Sequence, residues 1–279
     1  MHFYTKLVDL KLQTQYCSFS TKMVYKTSKE TKMKKLTIAV LVILTVVLPC
    51  FAQGSTEKVY IVAASCDYPP LEYIDDAGNI VGYEMELIQA IAEEMGIKIN
   101  IVNVSFDGII AGIQTKQYDI GASGLTINDE RKQTCDFTTP ILQFSLSIVT
   151  KKDTEGISSE EDLVGKKIGV QLGTTCQFAC EDAGLEVKTY DEAPSAILDL
   201  ANGNLDAVVL DSVVANDFVL TNDSYSQVLK VAGSFQNSDD MGMAVSKGNT
   251  ELLNLLNEGI QKVTASGKLA ELKAKYGLN

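Results

Sequence analysis

From Val59 onward, short β-branched runs alternate with longer stretches whose apolar residues recur every three or four positions. Val59-Tyr-Ile-Val-Ala63 reads as a strand ending in the turn-rich Cys66-Asp67-Tyr68-Pro69-Pro70, and Asp75-Asp76-Ala77-Gly78-Asn79 reads as a turn. Between Gly82 and Gly96, Met85, Ile88, Ile91 and Met95 form one helical stripe, closed by the kind of glycine that caps a helix. Ile99–Asn103 predicts the next strand, and Asp107 opens a short amphipathic helix through Ile109, Ile110 and Ile113. Further on, Ser158-Ser-Glu-Glu161 has capping-box form before Leu163. Lys167–Gln171 reads as a strand, and Gly173-Thr174-Thr175 as a helix start. Residues 249–279 predict one or two helices with Leu252, Leu255, Ile260 and Val263 inward.

Alternating strands and helices predict an α/β fold with mostly parallel sheets. Two stretches echo each other. Asp107–Leu125 and Ala193–Val213 both read helix, apolar-Asp-apolar, strand, then small polar residues, with Tyr118-Asp119-Ile120 matching Leu205-Asp206-Ala207. Two similar α/β lobes would produce this.

Composition narrows the chemistry. The 279 residues are 46% hydrophobic and 22% charged, enough apolar content for one large or two modest domains. Twenty-four basic against 36 acidic residues leave a net charge of −12, which excludes a nucleic-acid partner. The one histidine is His2, so Ser-His-Asp and Cys-His nucleophiles and His-ligated zinc are excluded too. Neither a phosphate-binding G-x-x-x-x-G-K-[ST] loop nor G-x-G-x-x-G occurs, and the cysteines do not form C-x-x-C pairs. No cofactor, metal or catalytic residue is expected.

The N-terminal part has a different logic. Met33-Lys34-Lys35, a 13-residue apolar run from Leu36 to Leu48, and Ala52 make a secretory signal peptide over residues 33–52. The run is too short to span a bilayer, which takes about 20 residues. Residues 1–32 then read as a non-native or unstructured extension ahead of the true start at Met33. Export to the periplasm or the extracellular space follows, with lipid anchoring at Cys50 as an alternative that Pro49 disfavours.

Gly82-Tyr83-Glu84-Met85-Glu86-Leu87, followed by Ile91-Ala92 and Met95, resembles the signature of the family-3 extracellular solute-binding proteins, the amino-acid receptors of bacterial ABC importers. Tyr68-Pro69-Pro70-Leu71-Glu72-Tyr73 is similar to that family's aromatic ligand loop. Ser123 to Arg131, then Cys135-Asp136-Phe137-Thr-Thr-Pro140, resembles its most diagnostic segment. Gly173-Thr174-Thr175, Leu210-Asp211-Ser212 and the stretch from Ser266 to Gly277 also match, so the likeness runs over roughly residues 58–277.

The resemblance implies a two-lobe type II periplasmic-binding fold whose chain crosses between lobes twice, near Gln143-Phe144 and Asn237-Ser238. Lobe 1 is then 53–143 with 239–279, and lobe 2 is 144–238. It also implies a monomer that binds a free α-amino acid, with polar or basic ones slightly favoured, and docks on permease subunits. A zwitterion needs a fixed cation and a fixed anion. Arg131, the one arginine in the sequence, suits the carboxylate because a guanidinium grips it with two parallel hydrogen bonds. Its alternative is a surface ion pair with Asp129 or Glu130.

Asp211, at the end of the apolar run 207–210, is expected on the ammonium, with helix N-capping as its alternative. By resemblance, Thr126 and Thr175 contact the carboxylate, Thr174 joins them at the helix start with N-capping as its alternative, Ser123 and Gly124 meet the ammonium, and Tyr68 and Phe106 sandwich the ligand side chain. Glu72 reads as structural, and Ser65 stands where some basic-amino-acid binders carry Asp. Cys176 and Cys180, one helical turn apart, are not expected to bond to each other. The rival functions are a cyclohexadienyl dehydratase-like enzyme on the same fold and a sensory ligand-binding module.

Overall fold

A computed structural model describes residues 58–278; the expected extension (1–32), signal peptide (33–52) and Cys50 lie outside the described residues. The first sheet has the order β5-β1-β6-β13-β7, from β1 (Val59–Ala64), β5 (Lys98–Asn103), β6 (Ile120–Gly121), β7 (Cys135–Phe137) and β13 (Ala244–Ser246). The second has the order β10-β9-β11-β8-β12, from β8 (Leu142–Lys151), β9 (Ile168–Gln171), β10 (Val187–Tyr190), β11 (Ala207–Asp211) and β12 (Leu229–Met241). A small antiparallel sheet of β2 (Asp67–Tyr68), β3 (Glu72–Ile74) and β4 (Ile80–Val81) lies near the start of the chain.

The parallel expectation holds for one half of each main sheet. β5, β1 and β6 run parallel, as do β10, β9 and β11, while β13 and the β8–β12 pair are antiparallel. The antiparallel strands arise where the chain passes from one sheet to the other and back. β8 leaves the first sheet's side and β12 returns to it, paired with Phe144 opposite Asp239 and Gln143 opposite Asp240. Register shifts interrupt this ladder between Val231 and Asp239, and such bulges bend a strand pair.

The internal echo has a structural counterpart. Asp119 Oδ2 accepts from Ile61 N–H of β1 at 2.9 Å, and Asp206 Oδ2 accepts from Lys167 N–H, just before β9, at 2.8 Å. Each aspartate thus ties the strand it precedes to the neighbouring parallel strand.

Helix α1 (Tyr83–Met95) starts on Gly82, whose φ of 130° and contact with the Leu71 carbonyl leave no room for a Cβ. It ends, as expected, on Gly96 in the left-handed conformation. Met85, Ile88 and Ile91 are fully buried, whereas Met95 is half-buried. The terminal helices are Thr250–Ala265 and Lys268–Lys275. In the first of them Leu256 takes the core position expected of Leu255, because it lies one turn from both Leu252 and Ile260. The Ser158 capping box is also different. The chain makes a single 3₁₀ turn, Glu161–Leu163, and it is the Asp162 carboxylate that accepts from Ser158 and Ser159 N–H.

Candidate functional site

The candidate residues lie at the ends of strands and the starts of helices that face across the two main sheets. Arg131 sits in the four-residue helix Asp129–Lys132, whose first turn is fixed by Asn128 Oδ1 accepting from Arg131 N–H at 2.8 Å. It is the single arginine of the chain. It is 8% exposed, not the surface ion pair of the alternative reading. Its Nη1 donates to the Thr126 carbonyl (3.1 Å) and its Nη2 to the Gly173 carbonyl (3.2 Å). The guanidinium carbon lies 5.6 Å from the Phe106 ring centre, a cation–π distance. Burial lowers the Arg131 pKa and the Asp211 charge opposes that shift. A guanidinium starts so far above neutrality that the group stays cationic at neutral pH.

Asp211 closes β11 and is 5% exposed. It occupies the N-cap position of the helix Ser212–Asn216 without making a side-chain cap bond. Its Oδ2 accepts from the Tyr68 hydroxyl at 3.1 Å and its Oδ1 from the Cys176 thiol at 3.7 Å. Burial pushes its pKa up to about 7, against the Tyr68 and Cys176 hydrogen bonds and the Arg131 charge. A buried carboxylate with that history gains most from a nearby cation.

The structure joins two of the three threonines and makes the third a helix cap. Thr126 and Thr175 touch through their hydroxyls at 3.1 Å. Thr174 N-caps the helix Thr175–Asp182, its hydroxyl accepting from Gln177 N–H (3.2 Å) and donating to the Gln171 carbonyl (2.7 Å). Ser123 turns its hydroxyl inward: it accepts from Ser65 N–H (2.9 Å) and donates to Glu72 Oε1 (3.2 Å). Gly124, at φ 60°, donates its N–H to Glu84 Oε2 at 2.8 Å. Tyr68 reaches Asp211 with its hydroxyl and Phe106 packs near Arg131, so each aromatic is tied to one of the two charges.

Four further residues matter that the sequence did not single out for these roles. Asp67 Oδ2 accepts from Gln171 Nε2 and from Ala193 N–H, both at 3.0 Å, while its Oδ1 accepts from the Ser65 hydroxyl. Together with the Tyr68–Asp211, Arg131–Gly173 and Thr126–Thr175 bonds, these link the first sheet's side to the second's. Cys176 completes the Asp211 surroundings. Glu84 had a readable signal, since 84, 87, 88 and 91 share the buried face of α1. A cavity of about 760 Å³ opens next to this region, with Ser65, Cys66, Asp67, Ser105, Asp191 and Glu192 among its walls. Among the described residues no group of three or more His, Cys, Asp or Glu gathers as a metal site would. All four described cysteines are free and buried.

Two α/β sheets joined by paired strands, with an arginine and an aspartate buried between them, define a two-lobed binding protein of the type II periplasmic class. The chain belongs to the bacterial extracellular solute-binding proteins, family 3, whose model matches residues 60–279. It is 35% identical over 213 residues to the L-cystine-binding protein TcyJ of Escherichia coli strain K12, covering 75% of this chain and 79% of that protein. It is 34% identical over 249 residues to ABC transporter arginine-binding protein 1 of the same strain, covering 88% of this chain and 99% of the relative. A crystal structure of the P235GK mutant of ArgBP from T. maritima superposes with a TM-score of 0.74 at 37% identity, covering 79% of this chain and 96% of that one. These relatives are named as binding proteins. Among the described residues no helix is long and apolar enough to cross a membrane.

Proposed function

We propose that this protein captures a free α-amino acid between its two lobes and hands it to the permease of an ABC importer. The observation that carries the reading is the pair of buried charges from opposite sheets, Arg131 and Asp211, each with hydrogen-bonding capacity left for a zwitterion. Arg131 takes the carboxylate, with the hydroxyls of Thr126 and Thr175 beside it and the helix start at Thr174 adding a favourable dipole. Asp211 takes the ammonium, joined by the backbone of Ser123 and Gly124, since the Ser123 hydroxyl is already committed. Tyr68 and Phe106 border the ligand side chain.

A polar or basic side chain suits the neighbouring cavity, whose walls include Asp67, Asp191 and Glu192. The lobes are 53–143 with 239–279, and 144–238; they hinge where Gln143-Phe144 runs beside the Asn237-Ser238 passage. Ligand contacts made to both lobes at once shift the population to the closed form. The chain is exported by its signal peptide and works as a monomer.

Isothermal calorimetry against the twenty amino acids tests this, with the N-acetylated and decarboxylated forms of the binder as controls. Both controls are expected to bind far more weakly than the parent. Equal binding of either one refutes the clamp. An enzyme reading would use Asp211, with its raised pKa, as a catalytic acid. Incubation with prephenate is expected to leave the substrate unchanged.

A further inference from the structure

Two buried acids have no part in the amino-acid clamp. Glu72 in β3 and Glu84 in the first turn of α1 are both 0% exposed. Each spends one oxygen on the segment after β6: Glu72 Oε1 accepts from the Ser123 hydroxyl and Glu84 Oε2 from Gly124 N–H. Their other oxygens, Glu72 Oε2 and Glu84 Oε1, are buried with no partner among the described residues. Both carboxyls border one glycine, for Glu72 Oε1 lies 3.6 Å from where a Gly124 Cβ would stand.

Among the described residues, the groups facing the pair bring no compensating cation. Asp67 and Cys66, from β2 and the turn before it, add negative charge or a neutral thiol pushed up to about 11 by burial and by Asp67. Tyr83 turns its hydroxyl away to the Ile141 carbonyl. Lys275, from the last helix, pairs with Glu86 on the other side of α1. Two ionised carboxylates in this setting would repel each other with little water to screen them, and each would leave an oxygen unsatisfied.

We propose that Glu72 and Glu84 form a proton-binding site, a pair that holds one shared proton through neutral pH and with it fixes the Ser123–Gly124 segment. One proton makes a donor of one orphan oxygen and lets the other accept, as two carboxyls sharing a site do elsewhere. Burial pushes both acids above the ordinary 4.5, Glu84 to about 7, and the Glu84 charge raises Glu72 further. A metal ion is the poorer occupant, since only two carboxylates and one committed hydroxyl converge, where hard cations take six or more oxygens.

The linkage sign follows. Folded protein keeps one proton that unfolded chain loses above about pH 4.5, so the pair's contribution to stability declines as pH rises through neutrality. For one proton the folding constant falls about tenfold per pH unit across that window. The experiment is denaturant unfolding from pH 5 to 9 with no amino acid added, so its outcome is independent of the proposed ligand. Glu72→Gln and Glu84→Gln are each expected to remove the same one-proton slope, and the double variant to remove no more. A slope in either single variant that equals the parent's, or losses of slope that add in the double variant, overturns the proposal; the slope that Asp211 contributes is common to all four proteins.

Infrared difference spectroscopy of Asp211→Asn, which leaves the glutamate pair intact and removes the other acid raised to about 7, covers the case in which a glutamate variant does not fold. It is expected to show the carbonyl band of one neutral buried carboxylic acid at pH 7 that disappears in alkali. A spectrum with every carboxyl ionised at pH 7 refutes the shared proton. So does a melting temperature that rises when sodium replaces choline in the buffer.

Discussion

Asp211 and Glu84 are both fully buried carboxyls whose pKa burial raises to about 7, yet their surroundings are built in opposite ways. Around Asp211 a phenol O–H, a thiol S–H and the field of Arg131 favour the charged form, with the Asp239 charge opposing them. Around Glu84 there is one backbone N–H, an orphan oxygen and a second carboxyl nearby. On the proposed reading the first carboxylate is oriented for a cation that arrives from outside. The second is provided for by a proton. Burial raises both alike, so donor count rather than pKa separates the proposed ligand site from a structural acid.

Removing the charge at Asp211 should have the largest effect. Asp211→Asn is expected to weaken binding of the amino acid by about 2–5 kcal/mol, tens- to thousands-fold in Kd, because the desolvated ammonium loses its counter-ion. The same variant should melt higher than the parent at pH 8 without ligand, since it no longer holds an anion in a buried site. Arg131→Lys should lose a comparable factor, for one ammonium cannot reproduce the two-pronged contact. Calorimetry and thermal melts check all of these. Unchanged affinity in Asp211→Asn would break the contrast with Glu84.

The next effect is on pH dependence. The ammonium prefers ionised Asp211, and before binding that group is protonated below about pH 7. Affinity is therefore expected to fall as pH drops from 7 to 5, approaching about tenfold per unit. Protons released on binding, measured in two buffers of different ionisation enthalpy, should rise over the same range.

Much of this was readable from residue order and some of it could not be. The α1 stripe, its Gly96 cap, the strand runs and the duplicated aspartates at 119 and 206 follow from local periodicity and turn chemistry, which act within a few residues. Leu256 displaced Leu255 because it sits four positions from both Leu252 and Ile260, whereas Leu255 is five from Ile260. Asp162 took the capping duty from Glu161 because the chain stops after one 3₁₀ turn. Arg131 and Asp211 stood out by residue type and motif. Their partners did not: Asp67 meets Gln171 and Ala193 across more than a hundred residues of chain, and no local pattern encodes that.

Asp67 gives the third prediction, of intermediate size. Its carboxylate accepts from both a side chain and the first helical N–H of Ala193–Ala201 on the opposite lobe. Asp67→Ala should remove those links while leaving both halves of the zwitterion clamp in place. Since hydrogen bonds to charged groups are each worth about 1.5–3 kcal/mol when buried and less when partly solvated, a loss of about 1–2 kcal/mol in binding is expected. Small-angle scattering without ligand should show a larger radius of gyration for the variant. An unaltered radius with weakened binding would instead assign Asp67 to the ligand's own side chain.

Cys176 should matter least, although it touches Asp211. A thiol is a weak donor at 3.7 Å, and the Tyr68 hydroxyl already satisfies the other carboxylate oxygen. Cys176→Ser shortens the side chain and substitutes a stronger donor, two changes that oppose each other, so affinity is expected to stay within about threefold. The thiol itself should be inert. Burial, then the Asp211 charge, push its pKa far above the ordinary range, and the thiolate is the form that reacts. Cys180, in the same helix, is pushed up to about 12, again mainly by burial. Native protein treated with iodoacetamide should therefore carry little label at either position, and denatured protein without reductant should carry label at both. A Cys176–Cys180 disulfide recovered from the denatured sample would mean that the helix Thr175–Asp182 does not hold its first turn, and would also remove the thiol contact that sets Asp211 apart from Glu84.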